Sequence, residues 1–402
     1  MHHALFHLRS WRSGDRLLLK SCIAALLLHS MSLMPVKAAS ALQSKRPEVL
    51  VLLSYHQGHS WEDQILSGIN EWRDNSAPEM KPILHTEWLD TKRYPGIEQR
   101  KRISTYLAEK YNNKQFDLIL TIDDNALDIV SRQSNIPHKT PIVFSGVNGS
   151  PGAIIGDLPE VTGILERFDL TQTLRTALLL HSGTRNLIFI TPQDEVGKNM
   201  RKDIDTVMSL QPAGQTVEHW ITPDLSKIHE RLINASRDSL VFVLGAIPAK
   251  NDSPPLEPEE TVALIHSLTN LPVYSDLDTA VGKGAVGGYM NSGLETGRLQ
   301  AVIAKKILDG KLASQTPYVL RTPLALIFDY NELNRFNINK RILPSGSKIL
   351  NEPASILDQK YRKFLISFAA AIAILLTWVA VFVGRSRIQS ERQRALHYQA
   401  SH

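Results

Sequence analysis

A chain of 402 residues with a single cysteine excludes a small disulfide-stabilised domain and any cysteine-based metal site. Its formal charge of +5 lies at the two ends, because residues 1–39 carry +4 and residues 360–402 carry +6, which leaves −5 on residues 40–359. An acidic main segment argues against a phosphate-backbone partner, so we expect no nucleic acid to bind.

The N-terminal segment has the pattern of an export signal. Basic residues from Arg9 to Lys20 precede a short apolar run from Cys22 to Met34, and small residues then precede Ala39 in an A-x-A-like arrangement. The pattern predicts a signal peptide over residues 1–38, with an uncleaved anchor as the alternative. Either way, the segment that follows is exported.

From Pro47 onward, short β-branched runs alternate with amphipathic segments. Strands are predicted at 48–56, 81–91, 116–123 and 140–147, and helices at 60–75, 96–113 and 124–133. Such βαβ repetition predicts a parallel sheet with helices on both faces.

After a turn-rich stretch at 150–159 the same alternation begins again. Strands are predicted at 185–191, 216–222, 239–247 and 271–276, and helices at 170–182 and 198–211. Two such series predict two similar lobes with a cleft between them. In sheets of this kind, ligands bind outside the carboxyl ends of the strands.

A long uncharged run, Phe364 to Val383, lies near the C-terminus. At about 1.5 Å per residue, twenty helical residues span roughly the hydrocarbon core of a bilayer. Basic residues flank the run on both sides, so we predict a single transmembrane helix over 364–384 and a cytoplasmic tail over 385–402. A buried core helix is the alternative interpretation.

Polar and aromatic side chains follow several of the predicted strands, where a ligand would be held. Aromatic rings would pack against the body of a small amphipathic organic molecule, and an aspartate would pair with an amine. For each residue the alternative is a structural role: a helix N-cap for the aspartates, and packing for the aromatics. The predicted ligand-binding residues are Tyr55, Trp61, Asp123, Asn125, Ser145, Asn148, Asp276 and Tyr289.

The sequence contains no motif that predicts catalysis. The glycine-rich segment 282–288 lacks the Lys-Ser/Thr of a P-loop, and neither H-E-x-x-H nor G-x-S-x-G occurs. Asp276 and Asp278 could share a cation, but a metal site needs more ligands than these two. We therefore expect no enzyme activity, no cofactor and no bound metal in this chain.

Several segments resemble one family. The segment PIVFSGVNGSPGA (141–153), followed by VTGI (161–164), resembles the ABC-transporter substrate-binding proteins with a periplasmic-binding-protein type 1-like fold, although Glu160 stands where that family has an asparagine. Segment 271–311 is similar to the same family, with matching residues Gly284, Ala285, Tyr289, Gly297, Ala301, Ile307, Leu308 and Gly310.

Two further segments extend the resemblance, which covers roughly residues 47–350. FDYNELNRFNI (328–338) and LPSGS (343–347) look like the membrane-proximal end of this domain in bacterial sensor proteins. The resemblance implies a two-lobed α/β domain that binds a ligand reversibly by closure of its lobes and performs no chemistry.

The last residues, ALHYQASH (395–402), resemble the linker that precedes a diguanylate cyclase (GGDEF) domain in bacterial membrane sensors. No GGDEF motif occurs in this chain. One interpretation is that a diguanylate cyclase domain follows His402. The alternative is a short cytoplasmic tail with no further partner.

Together these features predict a sensor in the bacterial inner membrane, with its main domain in the periplasm. It would bind a small organic ligand between two lobes and transmit closure through the transmembrane helix, for which we expect a homodimer. The alternatives are a substrate-binding protein of an ABC transporter and, with less support, an exported hydrolase.

Overall fold

The computed structural model describes residues 45–132, 139–156, 158–167, 170–209, 214–251, 253–353 and 356–400. The predicted signal peptide lies outside the described residues. The chain divides into two compact units, of which the first extends to Arg167 and also takes in Gly293–Thr322. The second comprises Phe168–Ser292 and the remainder from Pro323.

The first unit is built around a five-stranded parallel sheet. Its strand order is β2-β1-β3-β4-β5, and every pairing is parallel, as the βαβ repetition predicted. The elements are β1 (Glu48–Leu53), α1 (Ser60–Asn75), β2 (Ile83–Trp88), α2 (Ile97–Lys110), β3 (Leu118–Ile122), α3 (Asp123–Ser131), β4 (Ile142–Val147), α4 (Pro151–Ile155), β5 (Val161–Leu165) and the returning helix α9 (Gly293–Leu308).

The central strands of this sheet are buried on both faces. All of β3 is buried, and so is β1 from Val49 onward. Both strands are continuous runs of β-branched and aliphatic residues, as expected where helices cover both faces of a parallel sheet. On one face of the sheet, Leu50, Leu52 and Ile119 belong to one apolar cluster with Phe144 and Leu127.

Helix α9 comes from a distant part of the sequence and packs closely on α1. A Cβ atom at Gly297 would lie 2.0 Å from the backbone oxygen of Ile65, and one at Gly68 would lie 2.5 Å from that of Leu294. From α9, the buried Gln300 side chain donates hydrogen bonds to the carbonyl oxygens of Thr121 (3.1 Å) and Val143 (2.9 Å). This helix therefore completes the first unit.

The second unit contains a four-stranded parallel sheet, ordered β7-β6-β8-β9, and a three-stranded sheet, ordered β10-β11-β12. Strands β10 and β11 are antiparallel, and β12 joins β11 in parallel. The elements are α5 (Thr171–Leu180), β6 (Asn186–Pro192), α6 (Glu195–Ser209), β7 (Thr216–Thr222), α7 (His229–Asn234), β8 (Ser239–Val243), α8 (Pro258–Leu268), β9 (Val273–Tyr274), β10 (Gly287–Asn291), β11 (Leu324–Asp329), α10 (Tyr330–Arg335) and β12 (Lys348–Leu350).

Aromatic side chains form the centre of the second unit. The rings of Phe189 and Phe242 stack with centroids 4.9 Å apart, and the ring of Tyr274 lies 5.3 Å from that of Phe242. The hydroxyl of Tyr274 also lies 3.0 Å from Nε2 of His181. Burial lowers the pKa of His181 to about 4, so this imidazole is neutral at physiological pH.

The chain continues into one long helix, α11 (Ile356–Ala400). Within it, Tyr361–Tyr398 is long and apolar enough to cross a membrane. The large apolar side chains of this segment are exposed, with Trp378 at 72%. An exposed apolar surface of this kind contradicts the alternative of a buried core helix.

Many element boundaries differ from the predicted ones, and three of the differences are informative. Strand β1 ends at Leu53 instead of residue 56, because the Ser54 hydroxyl donates to the carbonyl oxygen of Ile122 and the chain turns there. Helix α6 begins at Glu195, where Asp194 accepts a hydrogen bond from the amide of Gly197. Strand β9 is reduced to two residues, Val273–Tyr274.

Candidate ligand-binding site

The carboxyl ends of β1 and β3 are held together by a chain of hydroxyl and amide groups. The Ser54 hydroxyl accepts from the amide of Ala126 (2.9 Å), and the Thr91 hydroxyl donates to the Ser54 carbonyl oxygen (2.7 Å). Asn125 Nδ2 in turn donates to Thr91 Oγ1 (2.9 Å). The predicted residue Asn125 therefore helps to hold together the loops that follow β1, β2 and β3.

Two carboxyl groups, those of Glu62 and Asp123, meet at this edge. Glu62 is fully buried and Asp123 is 4% exposed. Each group affects the titration of the other, and a proton on one of them would allow a hydrogen bond between the two. Burial raises the pKa of Glu62 to about 8, and burial together with the charge of Glu62 raises the pKa of Asp123 well above its ordinary value.

Each member of this pair is held by the backbone around it. The amide of Tyr55 donates to Glu62 Oε2 at 2.8 Å. Asp123 takes a left-handed backbone conformation with φ of +65°, which is uncommon for a residue other than glycine. Gly146 at the end of β4 lies so close that a Cβ atom there would be 2.3 Å from Asp123 Oδ1.

The ring of Tyr55 lies beside the carboxyl pair. Lys92 Nζ is 5.5 Å from the centroid of this ring, and the His59 ring centroid is 4.6 Å from it. The negative charge of Asp123, followed by burial and the charge of Glu62, raises the pKa of Tyr55 well above its ordinary value. The Tyr55 hydroxyl is therefore neutral, and its surroundings are negative.

The loop after β4 is organised around Asp124. Its carboxylate accepts hydrogen bonds from the amides of Asn148 (3.3 Å) and Gly149 (3.4 Å). Arg167 donates to the carbonyl oxygens of Val147, Asn148 and Gly149 and so fixes the other side of the loop. The predicted residue Asn148 is exposed here and donates to Glu166 Oε2 at 3.3 Å.

Two other predicted residues are in the interior of the first unit. The Ser145 hydroxyl is fully buried and donates to Gln300 Oε1 at 3.0 Å. The Trp61 indole is 6% exposed, and its Nε1 has no hydrogen-bond partner among the residues that the structure describes.

The remaining predicted residues, Asp276 and Tyr289, belong to the second unit. Asp276 follows β9 and is 8% exposed, and burial raises its pKa to about 6. Its carbonyl oxygen accepts from the amide of Asn291 (2.7 Å) at the end of β10. Tyr289 in the same strand is partly buried, and its carbonyl oxygen accepts from the Thr173 hydroxyl (2.6 Å).

The structure thus gathers Tyr55, Asp123, Asn125 and Asn148 at one edge of the first sheet, whereas Ser145 and Trp61 lie deeper in the same unit. This edge is acidic and partly aromatic. In the described part of the chain, no group of three His, Cys, Asp or Glu side chains is arranged to hold a metal ion.

Glu62 is not among the predicted binding residues, although the sequence carries a signal for it. Glu62 lies three residues before Ile65 and seven before Ile69, all of them on the buried face of α1. An acidic residue at a position of the apolar stripe demands a partner, because an unpaired buried carboxylate is costly. That partner, Asp123, could not be identified without the pairing of β1 with β3.

Comparison with known proteins bears on the fold alone. No protein-family model matches this chain, and no curated protein matches it. Among solved structures, a ligand-free, open substrate-binding protein with adhesive properties from Clostridium difficile is 14% identical, with a TM-score of 0.56 over 76% of this chain and 100% of that chain.

Two other solved structures have somewhat lower TM-scores. An ABC domain from Streptococcus pneumonia in complex with L-Trp is 14% identical, with a TM-score of 0.51 over 75% of this chain and all of that one. A conserved domain protein from Vibrio cholerae is 13% identical, with a TM-score of 0.52 over 76% of this chain and all of that one.

The likeness defines the fold. The chain has the α/β architecture of the periplasmic-binding-protein type 1-like substrate-binding proteins, as the sequence predicted, followed by one apolar helix that could span a membrane.

Proposed function

We propose that this chain is a membrane-anchored sensor of the bacterial inner membrane. Its α/β domain, exported to the periplasm, binds a small organic molecule by closure of two lobes. The transmembrane part of α11 carries the resulting change to the cytoplasmic side in a homodimer. The fold that this chain shares with substrate-binding proteins is the observation that carries the ligand-binding part of the proposal.

The anchoring part of the proposal is supported by helix α11. Strand β12 ends at Leu350, and the helix begins at Ile356, so few residues separate the folded unit from the helix. A short connection limits the freedom of the helix relative to β12. A ligand that binds two states of the domain differently can therefore bias two states of the helix.

The output of such a sensor is proposed from the tail. Residues 395–402 resemble the linker before diguanylate cyclase domains, which produce a soluble second messenger. We propose that a diguanylate cyclase, joined after this segment or acting as a separate partner, responds to the position of α11.

A substrate-binding protein of an ABC transporter is the second candidate, and the described neighbour from Clostridium difficile favours it. Such a protein delivers its ligand to a permease. If that is the role here, cells lacking this chain should lose uptake of the ligand. Under the sensor proposal uptake persists, whereas second-messenger levels stop responding to the ligand.

A ligand screen tests the proposal most directly. The full chain in mild detergent is heated with a library of amino acids, sugars, small acids, amines and neutral aromatic compounds while intrinsic tryptophan fluorescence is followed. A ligand at one hundred times its dissociation constant stabilises the folded state by about 2.7 kcal/mol, which appears as a raised unfolding temperature. Failure of every compound in the library would overturn the ligand-binding proposal.

A further inference from the structure

The carboxyl pair of Glu62 and Asp123 is not explained by the folding of the first unit. Both residues are at least nine-tenths buried, and Glu62 Oε1 and Asp123 Oδ2 accept no hydrogen bond from any donor group of the described residues. A buried carboxyl pair is costly, and apolar side chains of similar size are often at least as stabilising. The pair is therefore expected to have a role in binding.

A further observation marks this place as a binding site. The Tyr55 ring stands beside the pair and already has one ammonium group, that of Lys92, 5.5 Å from its centroid. A carboxyl pair beside an aromatic ring matches the requirements of an organic ammonium group.

The charges around the pair also favour a cation. Carboxyl groups outnumber fixed cations in this region, and Arg100 and Arg167 are occupied with neutral oxygen atoms. Lys92 is the cation whose charge acts on Asp123. The titratable or charged groups from all surrounding elements are Tyr55, His56, His59, Glu62, Asp63, Lys92, Arg100, Asp123, Asp124, Glu166 and Arg167.

We propose that Glu62 and Asp123 form a proton-exchanging subsite for an organic ammonium group, which deepens and rests on the ligand-binding function proposed above. Without ligand, the two carboxyl groups share a proton. When the ammonium group of the ligand arrives, its N–H groups donate to the carboxylate oxygens, and the shared proton leaves to solvent. One positive charge enters and one leaves, so the net charge of the site is unchanged.

Proton exchange gives this proposal a signature that simple cation binding lacks. Because one proton is released for each ammonium group bound, the association constant rises by up to about tenfold for each pH unit while the pair remains protonated. The neutral alcohol with the same carbon skeleton displaces no proton, so its affinity is independent of pH in the same range.

The test is isothermal titration calorimetry on the full chain in detergent at pH 7. The probes are 2-phenylethylammonium, tryptammonium and butylammonium, each compared with the alcohol of the same skeleton. Titrations are repeated in phosphate and in Tris, whose ionisation enthalpies differ. We expect an ammonium probe to bind with release of about one proton, and to bind more tightly at pH 8 than at pH 6.

Two variants locate the effect. Glu62→Gln removes one carboxyl group of the pair, so proton release and the pH dependence of binding should both disappear. Glu98→Gln makes the same change on exposed α2, where the carboxylate only pairs with Lys101, and should behave as the unaltered chain does. Proton release is measured on the unaltered chain, so the test stands even if Glu62→Gln does not fold.

The outcomes separate this inference from the proposed function. Ammonium binding without proton release, or proton release that persists in a folded Glu62→Gln chain, would overturn the inference. So would a screen in which only neutral or anionic compounds stabilise the chain, although ligand binding itself would then stand. A chain that no compound stabilises would overturn both.

Discussion

At the scale of single residues, the buried carboxyl groups of this chain differ in whether their oxygen atoms accept hydrogen bonds. Asp329, on β11, accepts hydrogen bonds from the amide of Asn331 (3.0 Å) and from Asn351 Nδ2 (3.1 Å), so its burial is compensated. Glu62 accepts a hydrogen bond from the Tyr55 amide, but its Oε1 and Asp123 Oδ2 accept none from the described residues. Such a pair makes the free energy of unfolding depend on pH, because its protons are lost when the chain unfolds.

The direction of this dependence follows from the raised pKa. Glu62 titrates near 4.5 when unfolded and at about 8 when folded. Its contribution to stability is therefore fully present below about pH 4.5 and is lost as the pH rises to about 8. Within that window we expect a loss of about 1.4 kcal/mol per pH unit for each such group. Thermal unfolding of the ligand-free chain between pH 5 and pH 8 measures it.

The variant Glu62→Gln tests whether this residue is the cause. A neutral amide needs no proton, so the unfolding temperature of the variant should change less between pH 5 and pH 8 than that of the unaltered chain. Glu98→Gln serves as the control and should retain the full dependence. Equal slopes in all three chains would refute the assignment.

How far the site could be predicted from sequence also depends on single residues. Asp123 and Asn125 were identifiable because they follow directly after a buried apolar run. Polar residues in that position mark the end of a parallel strand. Ser145 fits the same pattern, yet its hydroxyl bonds to Gln300, 155 residues later, and no local pattern reveals that partner. Glu62 was missed because its partner lies on another strand-end loop.

At the scale of elements, the sequence predicts which segments form strands and helices, but it predicts the end residues of only a few of them. Thr216–Thr222 and Ser60–Asn75 have the predicted bounds, because their apolar periodicity is uninterrupted. The end of β1 was predicted three residues too late. Its termination depends on a hydrogen bond from Ser54 to β3, and tertiary contacts of this kind decide where an extended run stops.

The contact of α1 with α9 yields a prediction at this scale. Gly297→Ala places a methyl group against the Ile65 backbone, which cannot move aside as a side chain would. We expect a loss of stability of about 1–3 kcal/mol or more, typical of overpacking. Chemical denaturation followed by circular dichroism measures it in the full chain.

Gly183→Ala provides the matched control. Gly183 is exposed, and a Cβ atom there meets nothing within 4 Å. This variant should unfold within about 0.5 kcal/mol of the unaltered chain, as surface substitutions usually do. If Gly297→Ala were equally harmless, the close packing of α1 on α9 would be wrong.

At the scale of the whole molecule, the fold class was predictable because two βα series and an apolar run of twenty residues are long-range patterns. The three-stranded sheet β10-β11-β12 was not predicted as such. It joins strands from either side of α9, and that arrangement depends on the chain leaving the second unit and returning to it.

Membrane topology supplies the prediction at this scale. In a chain with Cys22→Ala, single cysteines replace Glu98 on α2 and Ser390 in α11. If α11 spans the membrane, an impermeant maleimide added to spheroplasts should label the cysteine at 98 and not the one at 390. Both should react after lysis, which controls for reactivity. Labelling at both positions before lysis would contradict a membrane-spanning α11.

The discontinuity of the first unit has a consequence for how this protein is made. Its five-stranded sheet is encoded before residue 168, yet the helix that closes it, with Gln300 bonded to β3 and β4, is encoded from Gly293 onward. When the chain is synthesised in sequence order, more than a hundred further residues must be made before α9 can pack on the first sheet. During that interval the apolar face that α9 later covers is open to water, and proteases and chaperones compete for it.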